Sequence, residues 1–150
     1  MPFADRHDAG CRLAEALLAH RGEDAVVLAL PRGGVAVARP IAEALKAPMD
    51  LILVRKIGAP RQPEVAMAAI VDGDDPAIIR NDDVIRCAGV SDAEFQQCAD
   101  LALAEIERRR RVYRVGRPAT PITGKTVIVV DDGVATGATL KAALLGIKKK

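Results

Sequence analysis

The sequence predicts an open α/β fold, a parallel sheet flanked by helices. Three short runs, Ala25 to Leu30, Asp50 to Val54 and Thr126 to Val130, are rich in Val, Leu and Ile and read as strands buried on both faces. Segments of helical period separate or follow them, and each run ends on a turn dense in glycine or charge. Strand, helix and strand over about 30 residues form a βαβ unit, whose strands must be parallel and whose crossover is right-handed. At 150 residues the chain has the length of one ordinary domain.

Each element has its own local reason. Asp5 to His20 sets Cys11, Leu13, Ala14, Leu17 and Leu18 at helical spacing, with Arg21-Gly22 as a stop. The first strand runs into Pro31-Arg32-Gly33-Gly34, and helical spacing resumes from Val35 to Lys46. The second buried run is followed by Arg55-Lys56 and a Gly/Pro-containing stretch from Gly58 to Pro63. Val65 to Val71 and Ala77 to Ile79 flank Asp72-Gly73-Asp74-Asp75-Pro76, turn chemistry that joins them as an exposed hairpin inserted over about 57–80. Ser91 and Glu94 form a capping box that opens a long helix, about 91–113. Gly116 to Gly124 is loop, and a last helix runs from Thr139 to about Lys148. A doubly wound sheet needs further strands after that helix. The strand Thr126 to Val130 is therefore expected to lack a neighbour, as in a fold truncated at the C-terminus, leaving a dimer or an exposed edge.

Composition excludes several classes. Half the residues are apolar and 28% are charged, as in a soluble globule. The longest uncharged stretch, Gly133 to Leu140, is far short of the roughly 20 apolar residues that a membrane-spanning helix needs. Met1 to Gly10 has no apolar h-region, so a cytoplasmic protein is expected. Cys11, Cys87 and Cys98 lack C-x-x-C spacing, and with only His7 and His20 beside them they support neither a zinc site nor a disulfide framework. Lys plus Arg exceed Asp plus Glu by only 22 to 20, and Phe3, Phe95 and Tyr113 are the sole aromatics. Nucleic-acid binding by counterion release or base stacking is thereby disfavoured. The basic run Arg108 to Arg111 reads as a solvated helix face favoured by the helix dipole.

In an open parallel sheet, ligands bind beyond the carboxyl ends of the strands. Pro31 to Gly34, Arg55-Lys56 and Asp131 to Thr139 are the three unusual sequences expected at those ends. Two carboxylates after a buried strand, then a Gly/Thr/Ala turn opening a helix, offer acceptors for sugar hydroxyls beside backbone N–H donors for a phosphate. Arg32, Arg55 and Lys56 supply charge for a second polyanionic group, with Gly33-Gly34 exposing amides. A molecule with a phosphate, a diol and a diphosphate satisfies all three. Gly124-Lys125-Thr126 mimics the end of a P-loop, but Ala119 stands where its first glycine belongs, and the triplet leads into a strand.

The stretch Val127 to Leu140, V-I-V-V-D-D-G-V-A-T-G-A-T-L, resembles the signature of type I phosphoribosyltransferases. Pro31 to Gly34 is similar to that family's pyrophosphate loop, and the L-P-R-G-G-V and V-R-K-I-G-A-P segments resemble the uncharacterised "predicted phosphoribosyltransferase" branch. The resemblance implies a type I phosphoribosyltransferase-like fold. It implies Mg²⁺-dependent transfer of phosphoribosyl from 5-phosphoribosyl-1-diphosphate to a small nitrogenous acceptor, an activity of nucleotide metabolism. Asp131 and Asp132 would hold the ribose hydroxyls and Ala135, Thr136, Gly137, Ala138 and Thr139 would wrap the 5-phosphate. Arg32, Gly33, Gly34 and Lys56, with Arg55 beside them, would face the diphosphate. Mg²⁺ would be held mainly through the substrate.

The same resemblance makes the segment from Ile57 to about Arg80 a lid that closes over an oxocarbenium-like centre. It makes Glu64 a candidate proton acceptor, because Ala135 stands where the 6-oxopurine branch has a third acid. It also permits a different class, a binding or RNA-binding regulatory module without catalysis, for which Arg108 to Arg111 is the single basic candidate.

Overall fold

The computed structural model describes residues 2–150. The elements in order are α1 Arg6–Ala16, β1 Ala25–Ala29, α2 Gly33–Leu45, β2 Met49–Leu51, β3 Val54–Ala59, β4 Gln62–Val71, β5 Ala77–Arg80, α3 Asp82–Cys87, α4 Asp92–Arg114, β6 Thr126–Val130 and α5 Ala138–Lys148. They gather into two compact units. One takes in the residues up to Ile52 with Ala119–Leu140 and Lys150, the other Leu53–Pro118 with Lys141–Lys149. No helix among the described residues is long and apolar enough to cross a membrane.

The first unit is built on the parallel sheet β2-β1-β6. β1 is central, and all five of its residues are buried, as the unbroken Ala-Val-Val-Leu-Ala run requires. Val27, Ala29 and Val130 pack with Val37, Ala38, Ile41 and Leu45 of α2 and with Ala14 of α1. Helix α1 starts where Asp5 accepts a hydrogen bond from the Asp8 N–H, 2.8 Å. It then crosses α2 at Gly10, where a Cβ would stand 2.5 Å from the Val37 carbonyl oxygen and 3.0 Å from the Pro40 ring. Only glycine permits that approach. Strand β6 corrects one expectation: Val127, Ile128 and Val129 are half-buried and not buried, because β6 pairs with β1 alone among the described residues and lies at the sheet edge.

The second unit is an antiparallel sheet, β3-β4-β5, whose β3 and β4 carry the packing face for α4. Ile57, Met67, Ala68 and Ile70 meet Phe95, Ala99, Ala102 and Ile106, which recur at helical spacing. The capping box forms as expected, with Glu94 N–H donating to Ser91 Oγ and Ser91 N–H donating to Glu94 Oε2. Two further expectations change here. The hairpin over about 57–80 is largely buried: Met67, Ile70 and Val71 are fully enclosed, and only the Gln62–Glu64 end of β4 is exposed on every residue. Arg55-Lys56 does not end a parallel strand. The run Asp50 to Val54 breaks at Ile52, whose N–H still donates to Ala29, whereas Leu53 exchanges hydrogen bonds with Asp72, so Arg55 and Lys56 lie inside β3.

Candidate active site

At the carboxyl end of β6 the chain turns exposed, and Asp131 and Asp132 follow its last buried residue, Val130. Helix α2 begins directly against them. A Cβ on Gly34 would stand 2.7 Å from the Val130 carbonyl oxygen and 3.2 Å from the Asp131 Cα, and a Cβ on Gly33 would collide with the Asp132 carboxylate. The two glycines thus let the first turn of α2 run beside the acid pair. The expectation that both glycine amides are open is corrected: the Gly34 N–H donates to the Leu30 carbonyl at 3.0 Å and the Val35 N–H to the Arg32 carbonyl at 3.2 Å, so of the pair it is the Gly33 amide that could serve a ligand. Exposed Arg32 precedes that turn at the N-cap of α2.

The two acids differ in electrostatics. Burial pushes the Asp131 carboxyl above its ordinary value, and the neighbouring Asp132 carboxylate adds to the rise, although a hydrogen bond from the Asp132 N–H, 2.8 Å, opposes it. Asp132 is held below its ordinary value, chiefly by Arg6 of α1. Arg6 Nε donates to Asp132 Oδ2 at 2.9 Å and its terminal nitrogen approaches the same oxygen at 2.8 Å. Sequence reasoning missed Arg6, since an arginine in the first turn of a surface helix carries no sign of a partner 126 positions away.

The signature turn Gly133 to Gly137 is mostly exposed and leads into α5. Gly137 takes φ +79, a left-handed conformation suited to glycine, and the Ala138 N–H donates to Thr136 Oγ1 at 3.4 Å. Ala135, Thr136 and Ala138 are exposed and Thr139 is half-buried, so the turn presents backbone at the start of an eleven-residue helix. Asp131, Asp132, Gly33, Gly34, Arg32 and the residues 135–139 all belong to the first unit.

Arg55, Lys56 and Glu64 belong to the second unit. Side chains alternate along a strand, so Arg55 shares a face with buried Ile57 and Ala59, whereas exposed Lys56 shares the other with Val54. Arg55 also adds to the field that lowers Glu105 of α4. The expectation that Arg55 and Lys56 act side by side is therefore corrected; only Lys56 is free of that helix-facing side. Glu64 sits in β4, not in a loop, on its exposed stretch. The basic run is taken up by acids: Arg108 and Arg109 pair with Glu105, Arg111 with Glu107, and Arg110 with Glu107, Asp72 and Asp74. Among the described residues no three His, Cys, Asp or Glu side chains gather as a metal site. A hard cation here would have to take most of its oxygen ligands from a bound substrate.

A parallel α/β sheet with paired acids, a glycine pair and a Gly/Thr turn at one edge is the architecture of the phosphoribosyltransferase class. The family described as "Phosphoribosyl transferase domain" matches residues 5–150, and the chain belongs to it. It is 48% identical over 141 residues to two Mycobacterium tuberculosis proteins. They are "Putative phosphoribosyl transferase Rv0571c" of strain ATCC 25618 / H37Rv and "Putative phosphoribosyl transferase MT0597" of strain CDC 1551 / Oshkosh. The match covers 94% of this chain and 31% of each of theirs, so the chain spans about a third of the length of these curated relatives. The crystal structure of TT1426 from Thermus thermophilus is similar at a TM-score of 0.83 and 40% identity, over 99% of this chain and 70% of that one.

Proposed function

We propose that this chain transfers a phosphoribosyl group from 5-phosphoribosyl-1-diphosphate to a small nitrogenous acceptor, with Mg²⁺, releasing diphosphate. The observation that supports the reading is the close approach of the glycine pair of α2 to the acid pair that follows β6. The Gly33 N–H, with Arg32, receives the diphosphate, while Gly34, whose own N–H is held by the Leu30 carbonyl, keeps the helix start close to the acids. Asp131 and Asp132 accept hydrogen bonds from the ribose hydroxyls, and the amides of Ala135 to Thr139 cradle the 5-phosphate. Lys56 adds positive charge for the diphosphate. Mg²⁺, held mainly through the substrate, would supply charge neutralisation to the leaving group. The C1–O bond to diphosphate breaks, the acceptor nitrogen bonds to C1, and Glu64 takes the proton that the nitrogen loses.

The test is diphosphate release, with donor and Mg²⁺, across a panel of purine, pyrimidine and other nitrogenous acceptors. Donor-dependent release with at least one acceptor, lowered by Glu64→Gln, supports the reading. Release with no member of the panel counts against it. Because Ala135 stands where a third acid would serve the 6-oxopurine ring, hypoxanthine and guanine should be poor acceptors; turnover of hypoxanthine at the rate of the best acceptor would overturn that.

A further inference from the structure

We propose that Arg6 is a positioning residue for Asp132: it grips one carboxylate oxygen and so presents the other to the ribose hydroxyl. The inference rests on the phosphoribosyl-donor reading of the acid pair. Both Arg6 contacts fall on Oδ2, at 2.9 and 2.8 Å, a geometry that fixes the rotation of the carboxylate about its own axis. The side chain of Arg6 is 62% exposed and that of Asp132 30%, so the pair contributes little to folding and is suited to a task other than stability. Arg6 is also held in place. It lies four residues before Gly10, on the same face of α1, and Gly10 is where α1 meets the Val37 carbonyl of α2. Helix α2 in turn carries Gly33 against the Asp132 carboxylate. Asp132 is thus bracketed by two helices, one supplying a cation and the other an absent side chain. The groups around it are Arg6 from α1, Asp131 beside it, and Gly33 from the start of α2.

The geometry separates a positioning role from simple attraction of anions. An arginine that merely drew anions inward would strengthen every phosphate-bearing ligand. One that orients Asp132 affects only ligands with the ribose diol. Binding of 5-phosphoribosyl-1-diphosphate and of inorganic diphosphate, each with Mg²⁺, should therefore be measured by calorimetry for the wild type, Arg6→Met, Arg6→Lys and the double variant Asp131→Asn/Asp132→Asn. Arg6→Met is expected to weaken the donor about tenfold, the worth of one charge-assisted hydrogen bond, and to leave diphosphate unchanged. Arg6→Lys should recover part of the loss. Thermal melts establish that each variant is folded at the binding temperature, and Arg6→Lys carries the comparison if Arg6→Met is not. Equal loss for both ligands, or unchanged donor binding in Arg6→Met, overturns the positioning role while leaving the site intact. If the wild type fails to bind donor, or the double aspartate variant binds it as the wild type does, the reading of the site falls and this inference with it.

Discussion

Two stretches of this chain read alike and are used differently. Val71-Asp72-Gly73 closes β4, and Val130-Asp131-Asp132-Gly133 closes β6; each is a buried last strand residue, one acid or two, and then glycine. Asp72 is 4% exposed, accepts a hydrogen bond from the Leu53 N–H at 2.7 Å, and faces Arg110 and Arg114 at 3.8 and 3.6 Å. Its carboxylate is occupied in joining the β4 end to β3 and to α4. Asp131 and Asp132 stand at the edge of the parallel sheet, where one outside cation and two glycines surround them. An acid after a buried strand is therefore no site by itself. What distinguishes the two is the presence of backbone and cations that satisfy the charge from within.

The sharpest way to break the comparison is to remove each acid in turn. Asp72→Ala should cost about 3 kcal/mol or more in urea unfolding, since it leaves Arg110 and Arg114 without their buried partner. A midpoint equal to that of the wild type would show that Asp72 is not structural. Asp131→Asn/Asp132→Asn should instead unfold within about 1 kcal/mol of the wild type, as exposed substitutions do, while donor affinity falls by more than tenfold. Unchanged affinity in calorimetry with Mg²⁺ would remove the contrast.

The glycine pair sharpens it further. Gly34→Ala forces a Cβ into the Val130 carbonyl, backbone that cannot swing aside, and should cost about 1–3 kcal/mol. Gly33→Ala meets a side chain and not backbone, one that can be displaced only by giving up its Arg6 contacts, so it should spare more of the stability and weaken donor binding. Equal losses of stability for the two would contradict the stated contacts.

The smallest effects are in pH dependence, and the two units should slope in opposite directions. Folding raises the pKa of Asp131 above 3.8, so its contribution is full below that value and is lost as pH rises through the folded value. Folding lowers Glu105 of α4 from 4.5 to about 2 through hydrogen bonds from Arg108 and Arg109, so its contribution is present above 4.5 and is lost as pH falls toward 2. Urea midpoints against pH should show the wild type losing ground to Asp131→Asn as pH rises, and gaining on Glu105→Gln over the range below pH 5. Parallel curves would refute both.

Legibility in the sequence followed the same division. Strands β1 and β6 and helices α2 and α4 could be placed because an apolar run, a helical period or the Ser91-Glu94 box marks each locally. The acid pair and the Gly/Thr turn were legible for the same reason. The break at Ile52 was not, because Asp50 to Val54 is continuous in hydropathy and only the hydrogen bonds of Ile52 and Leu53 divide it. Helix α3 escaped notice because it has six residues, although Asn81, which accepts from the Val84 N–H and is followed by Asp82-Asp83, is a recognisable cap. Arg6 and the Arg110-Asp72-Arg114 group needed the fold, since charges distant in sequence meet only when the chain is folded.

The central position of β1 has a consequence for the order of assembly. Its partner β2 begins 20 residues after β1 ends, but its other partner, β6, pairs Val27 with Ile128, across a loop of about a hundred residues. The contacts of β3, β4, β5 and α4 close over much shorter spans. Long-range parallel pairing is slow because chain entropy is lost before the contact is gained. Pulse-labelling exchange should therefore find the amides of Ala68 to Ile70 protected before those of Val127 to Val129. The acid pair that follows β6 would then take shape late, after β3, β4, β5 and α4 have assembled, and the chain would hold much of its structure before it could hold a ligand.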